Sequence, residues 1–166
     1  SKVSNINNNV KIVYDGKSKK PSMKVTYKKT TLKEGKDYSV TYGENKKSGK
    51  GTITLYGMGN FTGIKSATFK IYPSKVTGEK VTKNTTSTLT LSWKKQDGVS
   101  GYRIYRATSS NGKYTYIGST SSKVNTYTDK RLTRNKTYYY KIRAYKNLNN
   151  EKLYGDYSKV LKAKTK

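Results

Sequence analysis

Segments in which apolar and polar side chains alternate every second residue recur along this chain, and helical spacing of apolar residues is hard to find. The alternating segments are "VKIVYDGK", "MKVTY", "DYSVTY", "GTITLYGMGN", "ATFKIYP", "STLTLSW", "GYRIYRA", "KYTYIGST", "TYYYKIRAY" and "KVLKAKT", which predict nine or ten short strands. Turn signals lie between them: "YDGK" near residue 15, "GMGN" at 57–60 and "NGK" at 111–113. A chain patterned in this way is expected to be all-β, folded as packed sheets.

The hydrophobic fraction is 31%, below the usual share for a globular domain, so the core must be thin. Tyrosine supplies 17 residues against 2 Phe and 1 Trp, so much of the buried area must come from rings whose hydroxyl needs a hydrogen-bond partner. Such cores, rich in Tyr, Val, Thr and Ile, suit sandwiched sheets.

The formal net charge is +27, a field that attracts anions. It is not a basic tail. Residues 1–73 carry 15 basic and 4 acidic side chains (15 − 4 = +11), and residues 74–166 carry 21 and 5 (21 − 5 = +16). Zero Cys excludes disulfides, zinc-thiolate sites and thiol nucleophiles, and zero His removes the usual general base and the commonest metal ligand. No apolar run is long enough to span a bilayer as a helix.

The natural break is "YPSKVTG", residues 72–78, where Pro73 interrupts strand pairing. Two domains are expected, 1–73 and 74–166, each the size of a small β-sandwich and joined by a short linker that should give a stiff, elongated pair. In the second half, "LTLSW" with Trp93, "GYRIYRA", "YTDKRLTRNKTYYYKIRAY" and "YGDYSKVLKAKT" resemble a fibronectin type III domain of secreted Gram-positive bacterial proteins. The resemblance runs from about Pro73 to Thr165. It implies a buried core Trp93, and a tyrosine corner in which Leu132 and Tyr138 cooperate and the phenol ties back to nearby backbone. The first half, through "YDGKSKKP", "LKEGKDYSVTYGENKKSGKGTITLYGMGNFTG" and "ATFKIYP", resembles a bacterial immunoglobulin-like surface repeat from about residue 10 to 72. Both resemblances imply architecture rather than activity.

Alternation places Tyr138, Tyr140, Ile142 and Ala144 on one face of their strand and Tyr139, Lys141, Arg143 and Tyr145 on the other. "GYRIYRA" divides likewise, with Tyr102 and Ile104 inward and Arg103 and Tyr105 outward. A fibronectin-type sheet would place these strands side by side and add Lys162 and Lys164 from the last one. Arg103, Tyr105, Tyr139, Lys141, Arg143, Lys162 and Lys164 would then form one exposed patch of rings and cations. Two readings are open. The patch is a solvated sheet face on which tyrosines cover lysine stems, or it docks an anionic polymer such as wall teichoic acid, acidic polysaccharide or nucleic acid. Lysines outnumber arginines 31 to 5, which favours diffuse attraction over specific base recognition, so specific nucleic-acid binding is not expected. A lysine-heavy genome would give the same ratio.

The remaining motifs have plainer explanations. "GMGNFTG" lacks the spacing and the Lys-Ser/Thr of a phosphate loop and reads as a β-turn. Glu34 and Asp37 are close in sequence but lie in an expected turn among lysines that should keep both ionised, whereas a glycosidase needs one carboxyl protonated in a cleft. "NINNN" at residues 5–9 lacks the carboxylates of a calcium site. Plentiful Lys and Asn permit a Lys–Asn amide cross-link, but no placed acid partner is visible. The expectation is a noncatalytic, secreted or cell-surface module pair with no cofactor or metal. Its partners would be anionic cell-wall or polysaccharide polymers and the neighbouring domains of a larger chain. The alternatives are a dedicated binder of nucleic acid or sulfated glycan, and an ancillary carbohydrate-binding region of a glycosidase.

Overall fold

The computed structural model describes residues 11–166. The asparagine-rich segment at 5–9, considered above for calcium, lies outside them. Among the described residues there are fourteen strands and no helix, so the protein is all-β. The chain divides into two compact units at Tyr72 and Pro73.

In the first unit, β1 (Ile12–Val13), β4 (Tyr38–Tyr42), β5 (Gly49–Gly57) and β6 (Ile64–Tyr72) form a sheet in the order β1-β6-β5-β4. β1 runs parallel to β6, and the other pairs are antiparallel. β2 (Thr26–Tyr27) and β3 (Thr30–Thr31) make a hairpin closed by the Leu32 N–H donating to the Val25 carbonyl at 2.9 Å. Strict alternation in β5 turns Ile53 and Leu55 inward, where they meet Phe69, Ile71, Tyr38 and the hairpin's flanking Val25 and Leu32. Gly51 lies opposite Phe69 in register, and any Cβ there would collide with the Phe69 ring.

The expected turns are present. Gly57 N–H donates to the Gly63 carbonyl and Phe61 N–H to the Met58 carbonyl, closing "GMGNFTG" as a strand connection, with positive φ at Gly59 and Gly63. Asp15 accepts from the Lys17 N–H in "YDGK". Asp37 accepts from the Lys33 N–H at 2.8 Å, so its carboxylate closes the "KEGKDY" turn.

In the second unit, β7 (Lys80–Asn84), β8 (Leu89–Ser92) and β11 (Thr126–Asp129) form a three-stranded sheet in the order β11-β8-β7. Facing it is a five-stranded sheet of β9 (Gly101–Ala107), β10 (Thr115–Ser121), β12 (Thr137–Leu148), β13 (Glu151–Tyr154) and β14 (Leu161–Lys164). The last two strands share one edge of β12. β13 pairs with Tyr145–Leu148, β14 pairs with Thr137–Tyr140, and the gap is bridged by Gly155 N–H to the Ala144 carbonyl and Ser158 N–H to the Ile142 carbonyl.

Between the sheets lie Leu89, Leu91, Trp93, Tyr102, Ile104, Tyr138, Tyr140, Ile142 and Ala144, all buried, with Leu132 and Ala163 closing the edges. Trp93 meets Tyr102 edge-on at 5.3 Å, and the Tyr102 hydroxyl accepts from the Gln96 N–H at 2.7 Å. Tyr138 accepts from the Thr133 N–H at 2.9 Å above the buried Leu132, which is the expected tyrosine corner.

Four strands escape the sequence reading: β3, β7, β11 and β13. Each is short, or carries a single apolar residue toward the core, so period-two patterning is absent.

Candidate functional site: the outer face of the five-stranded sheet

The register of the five-stranded sheet decides what its outward side presents. Arg103 of β9 lies opposite Arg143 of β12, and Tyr105 lies opposite Lys141. On the other flank, Tyr139 lies opposite Lys162 and Thr137 opposite Lys164 of β14. All seven candidate residues therefore share one side of one sheet, but they do not form one open patch. Lys162 and Lys164 are exposed, Arg103, Tyr139, Lys141 and Arg143 are half-buried, and Tyr105 is only 7% exposed. The expectation of an exposed Tyr105 is thus corrected. It points outward, but Tyr157 (5.2 Å, 87° between planes) and Tyr116 (5.8 Å) pack edge-on against it.

What covers it is a ladder of alternating rings and cations. The Arg103 guanidinium stands 5.0 Å from the Tyr116 ring and 5.1 Å from Tyr154. Arg143 stands 4.0 Å from Tyr154 and 4.7 Å from Tyr157, and Lys141 6.0 Å from Tyr157 and 4.2 Å from Tyr114. Two guanidiniums directly opposed across a sheet should repel. Here Tyr154 lies between them and offers each a π-face, an attraction of about 0.5–2 kcal/mol per contact depending on desolvation. Arg143 is fixed further by donating to the Tyr105 hydroxyl from Nη2 (2.6 Å) and Nε (3.1 Å). Burial pushes the Tyr157 phenol above its usual pKa; Arg143 opposes this and Tyr105 adds to it.

Sequence reasoning missed the rings. Tyr114 and Tyr116 precede and enter β10, where their two-residue spacing marks one face. Tyr154 and Tyr157 in "YGDY" straddle the end of β13, where no period survives.

On the inward side, alternation continues to Arg106, a second residue not singled out from the sequence. Its Nη1 reaches both carboxylate oxygens of buried Asp129 at 3.1 and 3.0 Å, and the Tyr140 hydroxyl donates to Asp129 Oδ2 at 2.8 Å. Burial, followed by the hydrogen bond and charge of Asp129, drives the Tyr140 pKa strongly upward.

In the first unit, a small cavity is lined by Val25, Leu32, Tyr38, Leu55 and Phe61, with Asp37 and Lys65 at its edge. Asp37 is already committed to its turn, accepting from the Lys33 N–H, and Glu34 is an exposed residue whose backbone pairs with Tyr38.

The Trp93 core, the tyrosine corner and the three-on-five sheet arrangement are joined by a direct family match. Residues 74–160, more than half of the chain, match the Fibronectin type III domain family. The chain belongs to the fibronectin type III family. Among solved structures, it resembles a fibronectin type III domain segment of two domains from chicken tenascin, at 17% identity and a TM-score of 0.53, over 70% of this chain and 64% of that one. The FN1-FN3 domains of chicken CNTN1 match at 17% identity and a TM-score of 0.50, over 72% of this chain and 44% of that one. The fibronectin type III domain of human fibronectin type III domain containing protein 3 matches at 24% identity and a TM-score of 0.46, over 57% and 86%. No curated protein matches. These likenesses carry the sandwich fold and nothing of the relatives' own interactions. Fibronectin type III domains are generally noncatalytic scaffold modules within larger chains. Among the described residues no helix is long and apolar enough to cross a membrane.

Proposed function

We propose that this chain is a noncatalytic pair of modules, an immunoglobulin-like repeat at residues 1–73 followed by the fibronectin type III domain at 74–166. It spaces and positions neighbouring domains of a larger secreted or surface-attached Gram-positive protein, while its positive field holds that protein near anionic envelope polymers. The observation that carries this reading is the charge of +27, distributed through both halves with +11 and +16. Cations on stiff sheets, rather than on a tail, attract polyanions without an ordering cost.

Within the seven-residue patch, the roles divide. Arg103, Tyr105 and Arg143 hold the ladder together, which is the structural reading of the patch. Lys141 extends the ladder onto Tyr114, and the exposed Lys162 and Lys164 with the half-buried Tyr139 add charge and a partly open ring to the surface. Tyr105 is too covered to stack on a base, which weighs against dedicated single-stranded nucleic-acid binding.

Co-sedimentation with purified Gram-positive walls, with and without teichoic acid, tests the reading. Binding should need the teichoic acid and should fall steeply with salt, because neutralising a polyanion releases counterions. Equal pelleting with stripped walls would reject it. Binding that survives high salt and prefers one neutral sugar would make the chain a carbohydrate-binding unit instead.

A further inference from the structure

Of the five arginines, Arg103 and Arg143 are stacked in the ladder and Arg106 is bonded to Asp129. Arg131 and Arg134 are exposed, and both lie in the connection from β11 to β12 between the exposed Lys130 and Lys136. This connection is pinned at four of its seven residues, Leu132, Thr133, Asn135 and Lys136. Leu132 is buried and its N–H donates to the Ser87 carbonyl, the Thr133 N–H donates to Tyr138, and the Thr165 hydroxyl donates to the Thr133 carbonyl at 2.7 Å. Lys136 N–H donates to Thr165 Oγ1, and Asn135 N–H to the Lys166 carbonyl. Arg131 and Asn135 hold φ of 58° and 54°, in the left-handed region, and the arginines at 131 and 134 are exposed.

The same end of the sandwich gathers further cations, and its acid Asp129 is turned inward onto Arg106 and Tyr140. Lys164 lies opposite Thr137, and its carbonyl accepts from Asn84, the neighbour of Lys83. Segments 83–88, 130–136 and 161–166 are hydrogen-bonded together here and contain no Asp or Glu. Asp129, at the end of β11, is neutralised by Arg106. Glu79, Asp97 and Glu151 belong to the opposite end, beyond Ser92 of β8 and at the β12–β13 turn.

We propose that this pinned corner, Lys130, Arg131, Arg134 and Lys136 with Lys164 beside them, is the docking surface for a linear polyol-phosphate polymer. The inference rests on the envelope-polymer reading above and says where the polymer is gripped. Guanidinium forks match phosphate oxygens bidentately, and a connection already ordered by hydrogen bonds loses little entropy on binding. Rings are scarce at the corner: Tyr138 is buried, Tyr114 lies under Lys141 and Tyr139 is half-buried, so a polymer of isolated phosphates fits better than a run of stacked bases.

The test uses the full 166-residue chain, calorimetric titration with poly(glycerol phosphate) at two salt concentrations, and two charge-matched variants. One is Lys130→Gln/Arg131→Gln/Arg134→Gln/Lys136→Gln. The other is Lys75→Gln/Lys95→Gln/Lys123→Gln/Lys159→Gln, which removes four exposed cations outside the corner. Losing the phosphate contacts should weaken binding by about tenfold or more in the first and flatten its salt dependence, against at most about twofold in the second. If the corner variant unfolds by near-ultraviolet circular dichroism, Arg134→Gln/Lys136→Gln alone should still give about a threefold loss. Equal losses in both charge-matched variants would overturn the corner while leaving wall association standing. No binding of the unmodified chain to poly(glycerol phosphate) at either salt would remove both. Tighter binding to single-stranded DNA or to a sulfated glycosaminoglycan than to poly(glycerol phosphate) would overturn the assigned polymer.

Discussion

Buried Asp129 has two donors, the half-buried Arg106 and the buried Tyr140, and joins the two sheets through them. Arg106 and Tyr140 reach it from adjacent strands of the facing sheet, so the one carboxylate bridges the two layers. Truncating it strands a guanidinium and a phenol together. Asp129→Ala should cost about 3 kcal/mol in urea unfolding, at the low end for a buried pair because Arg106 is partly exposed. Asn45 does comparable work in the first unit. It sits at φ 46° and is nearly buried. Its amide donates to the carbonyls of Lys19 and Thr52 and accepts from the Thr52 N–H at 2.8 Å. Asn45→Ala leaves the Lys19 carbonyl and the Thr52 N–H without this partner, while the Thr52 carbonyl keeps the Gly43 N–H, and should cost about 2 kcal/mol by the same measurement. Neither residue stood out in the sequence, because a buried polar side chain is recognised by its partners, which lie 7 to 26 positions away.

At the scale of elements, the ladder explains how an interrupted edge strand stays attached. Residues 155–160 lie between β13 and β14 and make few ladder bonds to β12. Tyr157 anchors them by stacking against Arg143 and Tyr105, and Ser158 Oγ accepts from the Ile142 N–H where a backbone carbonyl would otherwise serve. Tyr157→Ala should therefore speed amide exchange at Gly155 and Ser158 before the core opens, and lower global stability by about 1–2 kcal/mol. Unchanged exchange at those amides would show that the ladder only decorates the sheet. The inward and outward assignments for β9 and β12 were legible because these strands run seven and twelve residues, long enough for parity to declare itself. The "YGDY" segment was not legible, because its two tyrosines reach the same side only through the break after β13.

At the scale of the molecule, each unit has its own buried cluster. Pro73–Lys166 expressed alone should unfold in a single cooperative transition, checked by calorimetry. Alkaline pH should be the second general stress. Burial raises the phenol pKa of Tyr38, Tyr42, Tyr102, Tyr127 and Tyr140 above the ordinary 10.0, so the folded state favours the protonated form. Their contribution is complete below about pH 10 and is lost as pH rises past it toward the folded values. Tyr138 works the other way. Burial pushes its phenol up, but the hydrogen bonds with Thr133 and the charges of Lys136 and Arg106 pull it below 10.0, so its contribution is present above that pH and absent below. Burial raises Tyr114 and Tyr157 as well, so among the described residues seven raised phenols stand against one lowered, and stability should fall above pH 10. The measurement belongs in high salt, which screens the lysine repulsion that deprotonation would otherwise relieve.

The sequence by itself determined the all-β class, the break at Pro73, the buried Trp93 and Tyr138, and which side chains of the long strands face out, because period-two patterning and turn chemistry are local. Tertiary structure alone decided which outward residues remain open. Strand register set Arg103 against Arg143, a ring from β10 and a ring from the connection after β13 closed over Tyr105, and the fold brought the local run Lys130–Lys136 to the same end of the second unit as Lys164, away from Glu79, Asp97 and Glu151. Exposure and electrostatic potential depend on neighbours distant in sequence, and no local period encodes them.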